Sequence, residues 1–220
     1  MRKIIFVFLI AAFCISVSAQ NASKIKIWGI GSGKITVSKG KTRSIIDLSR
    51  DIAGCAFVPK EFRRELDKKG CTSRPATFEL IDATEKDDQT FLILTADAQE
   101  NCNVCGRCGA SEATTFIWLK LDAKLKLLER KNIPIEYCEL NISMIQPLSD
   151  IDEQTQEETL NVPFKDNVMT IEFERTIYGD EAKGDKDVFE FTHIEYDRTK
   201  PEKGFVIKTE KRDKSSSPDQ

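Results

Sequence analysis

The sequence predicts a mainly β protein: an antiparallel β-sandwich or β-meander with one short helix (about residues 59–69), braced by disulfides. Three observations lead there. Apolar residues recur at period two in many short runs bounded by turn residues, and only one stretch carries helical punctuation. The first nineteen residues read as an export leader. Six cysteines follow that leader, an even number.

The leader sets the compartment. Arg2 and Lys3 precede an apolar run from Ile4 to Val17, and Val17-Ser18-Ala19 supplies an A-x-A-like cleavage site. The run is shorter than the roughly 20 apolar residues of a membrane span. The mature chain is expected to begin at Gln20 and to be secreted or periplasmic. Phe13 before Cys14 argues against a lipid anchor, and Arg2-Lys3 is not a twin-arginine pair. Removing the leader takes Arg2 and Lys3 away and leaves 31 basic against 36 acidic residues. Such a surface offers no general attraction to nucleic acid or anionic lipid. No later segment is long and apolar enough to span a bilayer.

Along the chain, residues 20–148 form a cysteine-containing β-rich region with one helix. Lys24 to Trp28 and Lys34 to Val37 alternate, with glycines between them, as strand, turn and strand. Pro59 suits a first helical turn, Phe62 and Leu66 are spaced i,i+4, and Gly70 follows Lys68 and Lys69 as a stop. Thr77 to Asp82, Phe91 to Thr95 and Thr115 to Leu121 are strand-forming runs. Asp122-Ala123-Lys124 turns the last of these into Leu125 to Leu128. Ile135 to Ile142 continues the strand pattern through Cys138. Residues 149–162 read as an acidic connection. Residues 163–210 read as a β-rich C-terminal part packed on the first region: Met169, Ile171, Phe173 and Ile177 share a strand face, and Val188 to Tyr196 and Gly204 to Thr209 add two strands. Residues 211–220 read as a disordered tail.

The cysteines carry the most specific local signal. Cys55 and Cys71 bracket the expected helix and are expected to pair, closing a loop worth roughly 3 kcal/mol. Cys102, Cys105 and Cys108 recur at spacing three among glycines, with Cys138 further on. Cys138 is expected to pair with one of those three, the other two pairing together, with Arg107 as a candidate contact residue at the tip of the loop. The alternative is a zinc site on Cys102, Cys105, Cys108 and Cys138. An oxidising compartment removes the thiolates such a site needs, which favours disulfides and no cofactor. The iron–sulfur pattern fails because Glu112-Ala113 stands where Cys-Pro is required. A redox C-x-x-C motif lacks its βαβ surroundings.

Other motifs reduce to structure. Gly29 to Lys34 has neither the spacing of a P-loop nor that of a dinucleotide loop and reads as a turn. His193 is the single histidine and lies inside a strand after Phe189 and Phe191, the setting of a packed or rim side chain. Glu172 and Glu174 read as a solvated strand face rather than a hydrolase pair. Residues 179–187 read as a hydrophilic hairpin loop rather than a calcium loop. Asn21 and Asn141 lie in glycosylation acceptor patterns.

The expected function is an exported, soluble, disulfide-stabilised binding or structural module, with partner and oligomeric state left open. The alternatives are a zinc protein using the cysteine cluster and, after it, a hydrolase or thiol–disulfide enzyme. No catalytic residue is nominated.

Overall fold

The computed structural model describes residues 25–30, 33–54, 75–100, 108, 111–145, 149–151, 158–160, 164–179 and 186–213. The expectations for the leader, Asn21, the helix at 59–69, Cys55, Cys71, Cys102, Cys105, Arg107 and residues 214–220 lie outside the described residues. Apart from two 3-10 turns, every described element is a strand, and all pairings are antiparallel.

Three sheets carry the architecture. The first is a meander of β1 (Ile25–Gly29), β2 (Lys34–Lys39) and β3 (Thr42–Asp47). The second has four strands in sequence order: β4 (Thr77–Lys86), β5 (Gln89–Gln99), β6 (Glu112–Leu121) and β7 (Leu127–Glu136). In the third, β11 (Phe164–Lys165), β12 (Val168–Ile177), β13 (Val188–Asp197) and β14 (Phe205–Asp213) run in order, and β8 (Ile142–Met144) also pairs with β12.

The second sheet is the middle layer. Leu92, Leu94, Ile117, Leu119 and Leu121 face the first sheet, where they pack with Ile35, Val37, Ile46 and Leu48. Phe91, Ile93, Phe116, Trp118 and Ile135 face the third sheet, where they pack with Met169, Ile171, Phe173, Ile194, Tyr196 and Phe205. Both faces of β5 and β6 are therefore buried, which is why those strands are continuous apolar runs rather than alternating ones. Meanders are present as expected, stacked in three layers.

Hairpin chemistry fixes the registers. Asp87-Asp88 between β4 and β5, and Asp166-Asn167 between β11 and β12, all have positive φ. Two successive left-handed residues give the turn twist that antiparallel strands need, and Asp and Asn tolerate it. Asp122 Oδ1 accepts the amides of Lys124 and Lys126 at 2.9 and 2.8 Å, closing the β6–β7 turn where expected.

A bulge in β4 has a larger consequence. The register shifts between Leu80 and Asp82, so Leu80 and Ala83 reach the first core and Ile81 reaches the second. Asp82, which strict alternation would put beside Leu80, instead meets the third sheet. There Arg198 lies at 2.7 Å, Thr84 donates at 3.0 Å, and the Tyr196 hydroxyl approaches at 3.4 Å. Burial pushes the Tyr196 hydroxyl well above the usual tyrosine range. Trp118 adds a second tie, donating from Nε1 to the Pro201 carbonyl at 3.0 Å.

Three expectations need correction. The strand expected from Ile135 to Ile142 is broken. After β7, Tyr137 bridges Ile142, residues Cys138–Leu140 form a 3-10 turn, and Asn141 turns left-handed at φ 53°. The chain can then leave the middle sheet and enter the third as β8. The acidic stretch 149–162 contains two short paired strands, β9 (Ser149–Ile151) and β10 (Glu158–Leu160), because strand formers such as Ile151, Thr159 and Leu160 stand among its acids. The C-terminal strand runs to Asp213, so 211–213 are not tail: Lys211 pairs with Glu190 in the ladder, and its Nζ lies 3.0 Å from that carboxylate. Strand β3 is a further strand, paired with β2 beyond those the sequence predicts.

Candidate functional site

The described cysteines meet at one end of the middle sheet. Beyond β5, the Glu100 amide donates to the Ser111 carbonyl at 3.1 Å, so the β5–β6 ladder continues past Gln99. The Ser111 amide donates to the Cys108 carbonyl at 3.2 Å. Cys138 opens the turn after β7, and a disulfide joins it to Cys108 with 5.9 Å between Cα atoms. That separation lies within the ordinary range of about 4.4–6.8 Å. Cys108, one of the three expected partners, is thus bonded to Cys138.

Glu100 sits beneath this bridge. Its side chain is only 2% exposed, and its Oε1 accepts the Cys138 amide. Its Oε2 is buried and has no hydrogen-bond partner among the described residues. One carboxylate oxygen and both sulfur atoms lie within 4.8 Å of one another, Glu100 buried, Cys108 half-buried and Cys138 exposed. Burial pushes the Glu100 carboxyl above its usual range, and the amides of Cys138 and Glu139 pull it partly back. Around it the corner is acidic. Burial also raises the Glu136 carboxyl, followed by the charges of Asp97, Glu100 and Glu112. Burial raises the Tyr137 hydroxyl too, and that hydroxyl donates to Glu139 at 3.3 Å.

The segment after β3 closes one side of the corner. Ala53 donates its amide to Thr115 Oγ1 at 2.8 Å. Gly54 stands at φ +78°, where a Cβ would lie 3.0 Å from Glu100 Cα. This is a position for glycine on two grounds, conformation and space.

A second exposed feature is the outer face of the first sheet. The ladder sets Trp28, Thr36 and Ile45 side by side across β1, β2 and β3. Trp28 is 38% exposed and Ile45 60%, while Thr36 between them is covered. The Arg43 guanidinium lies 4.9 Å from the Trp28 ring centroid, with its NH2 3.5 Å from Thr36 Oγ1. Lys26 is exposed on β1, and Lys34 lies 3.5 Å from Asp47.

Of the two settings expected for His193, packed or rim, the structure gives the rim: the side chain is partly exposed on β13 and clamped between carboxylates. Nδ1 is 3.0 Å from Glu172 Oε1 and Nε2 is 3.0 Å from Glu195 Oε1. The hydrogen bond from Lys208, followed by that from His193, holds the Glu195 carboxyl below its usual range. With both ring nitrogens engaged, this histidine has no nitrogen left to take a proton from a substrate. The Glu172–Glu174 pair is thereby divided, since Glu172 belongs to the histidine clamp.

Sequence reasoning named Cys108 and Cys138 and missed Glu100. The signal was slight: a carboxylate two residues before Cys102, at the end of a strand with no other charge after Asp97. No helix among the described residues is long and apolar enough to cross a membrane. The chain matches no family model, no curated protein and no solved structure.

Proposed function

We propose that the protein is an exported, disulfide-stabilised binding module that holds an acidic protein partner on the outer face of its first sheet. The observation that carries this reading is the row of Trp28 and Ile45 flanking the covered Thr36, with Arg43 stacked on the indole. Tryptophan and arginine are the residues most enriched at the energetic centres of protein interfaces. Lys26, Lys34 and Arg43 outnumber Asp47 and leave this face net cationic on a chain whose formal net charge is −3. Such a local reversal of sign steers and orients an acidic partner. The face belongs to a sheet anchored through Ile35, Val37 and Ile46 in the first core, so it is held rigid. Export rests on the leader at residues 1–19 and agrees with a bonded cysteine pair.

A photo-crosslinking residue at Ile45 tests the reading, with Leu128 as a control position. The expected result is a discrete protein adduct at 45 that is absent at 128, lost in Trp28→Ala and in Arg43→Glu, and weakened by salt. An adduct unaffected by either substitution, or none at all, overturns the proposed face. Intact-mass analysis of the exported protein tests the leader: a chain beginning at Gln20 is expected, and one retaining residues 1–19 contradicts export.

A further inference from the structure

The carboxylate beneath the Cys108–Cys138 bridge, without a cation among the described residues, points to a site of its own. A buried carboxylate is ordinarily matched by a cation or a full set of hydrogen bonds. Asp51 has Arg130 at 2.7 Å and Asn132 at 2.9 Å, and Asp82 has Arg198 at 2.7 Å. Among the described residues Glu100 has backbone amides and two uncharged sulfur atoms, with Oε2 unmatched. We propose that Glu100, Cys108 and Cys138 form a redox-gated zinc site, closed while the disulfide is intact and opened when it is reduced. The proposal is independent of the partner-binding face.

The chemistry balances with a dithiol as reductant. The S–S bond between Cys108 and Cys138 breaks, each sulfur takes one proton, and the dithiol supplies two electrons and two protons as it closes to its own disulfide. Zn²⁺ then displaces the two thiol protons. The result is two thiolates and one carboxylate on the ion, with a fourth tetrahedral position for water. Zinc–sulfur bonds of about 2.3 Å and zinc–oxygen bonds of about 2.0 Å put tetrahedral ligand atoms roughly 3.5–3.8 Å apart. The three atoms already lie within 4.8 Å of one another, so side-chain rotation of the freed thiols suffices. Two thiolates select zinc over calcium or magnesium, which prefer oxygen. Cys138, exposed, provides the entry, and Glu100 forms the buried floor. This ligand set differs from the four-cysteine set because it requires Glu100 and dispenses with Cys102 and Cys105.

Zinc titration of the full chain, oxidised and then reduced by a dithiol that is removed before metal is added, tests the site. One additional Zn²⁺ per chain is expected on reduction, absent in Cys138→Ser. Glu100→Gln should weaken that binding by about 10-fold or more while the oxidised protein stays folded, with a melting temperature no lower than that of wild type. The double variant Cys102→Ser/Cys105→Ser leaves Glu100 untouched and should still bind. Co²⁺ in the reduced wild type should give a tetrahedral spectrum with thiolate charge transfer sized for two sulfurs. Loss of binding in Cys102→Ser/Cys105→Ser, a four-thiolate cobalt spectrum, or equal uptake by oxidised and reduced protein overturns the proposal.

Discussion

Asp82 and Glu100 are both buried carboxylates of the middle sheet, at 9% and 2% exposure, and they are treated in opposite ways. Asp82 is turned by a bulge toward Arg198, Thr84 and Tyr196, so its charge becomes a tie between two sheets. Glu100 is more deeply buried and, among the described residues, has amides, sulfur and further acids beside it but no guanidinium or ammonium. A buried charge matched by its opposite is structure. A buried charge left unmatched is a place where a proton or a cation has something to gain.

Removing the bridge above Glu100 should have the largest effect. Its ends are 30 residues apart, so the loop-entropy model assigns about 3.5 kcal/mol to it. Cys108→Ser/Cys138→Ser, measured by chemical denaturation, should lose about that much. Asp82→Asn comes next. It leaves Arg198 without its carboxylate at a side chain that is 39% exposed, so the loss belongs near the low end for buried pairs, about 3 kcal/mol. A loss below about 1 kcal/mol would show that Asp82 is not the tie described. Gly54→Ala should lose about 2 kcal/mol, since a side chain there is strained by φ and meets the Gln99–Glu100 backbone. His193→Gln should change stability by less than about 1 kcal/mol, because its carboxylate partners are exposed. A larger loss would move His193 from the surface account into the core account.

Much of this frame can be read in the sequence and some cannot, for physical reasons. Period-two runs announce β2, β12 and β13, and the Asp122 turn announces the β6–β7 hairpin, because these are local patterns. Three layers instead of two follow from Phe91-Leu92-Ile93-Leu94 and Phe116-Ile117-Trp118-Leu119, runs with no polar face. Asp87-Asp88 and Asp166-Asn167 are readable as left-handed hairpin turns once Asp is allowed that conformation. The bulge at Leu80–Asp82 is not readable, since Leu80-Ile81-Asp82 fits either phase. Nor is the burial of Glu100, which depends on Gly54 and Cys138 reaching it from 46 and 38 residues away. The even cysteine count narrows the partners of Cys138 to three only if Cys55 and Cys71 pair, and the Ser111–Cys108 geometry selects Cys108.

The most direct test of the contrast is the stability of wild type and Glu100→Gln across pH. The unfolded Glu100 carboxyl titrates near 4.5, and burial raises it in the fold. Below pH 4.5 both states hold the proton and Glu100 costs nothing. As pH rises through the folded value, the native state must give up that proton in a buried, acidic corner, and wild-type stability falls. Asp51 and Glu136 are raised as well but are present in both proteins; relief of Glu136 in the variant acts in the same direction. The account predicts that Glu100→Gln gains on wild type progressively above about pH 4.5 and holds its advantage once pH has passed the raised folded value. A difference that stays flat with pH, or that falls as pH rises, would show that Glu100 is already compensated and would contradict the contrast with Asp82.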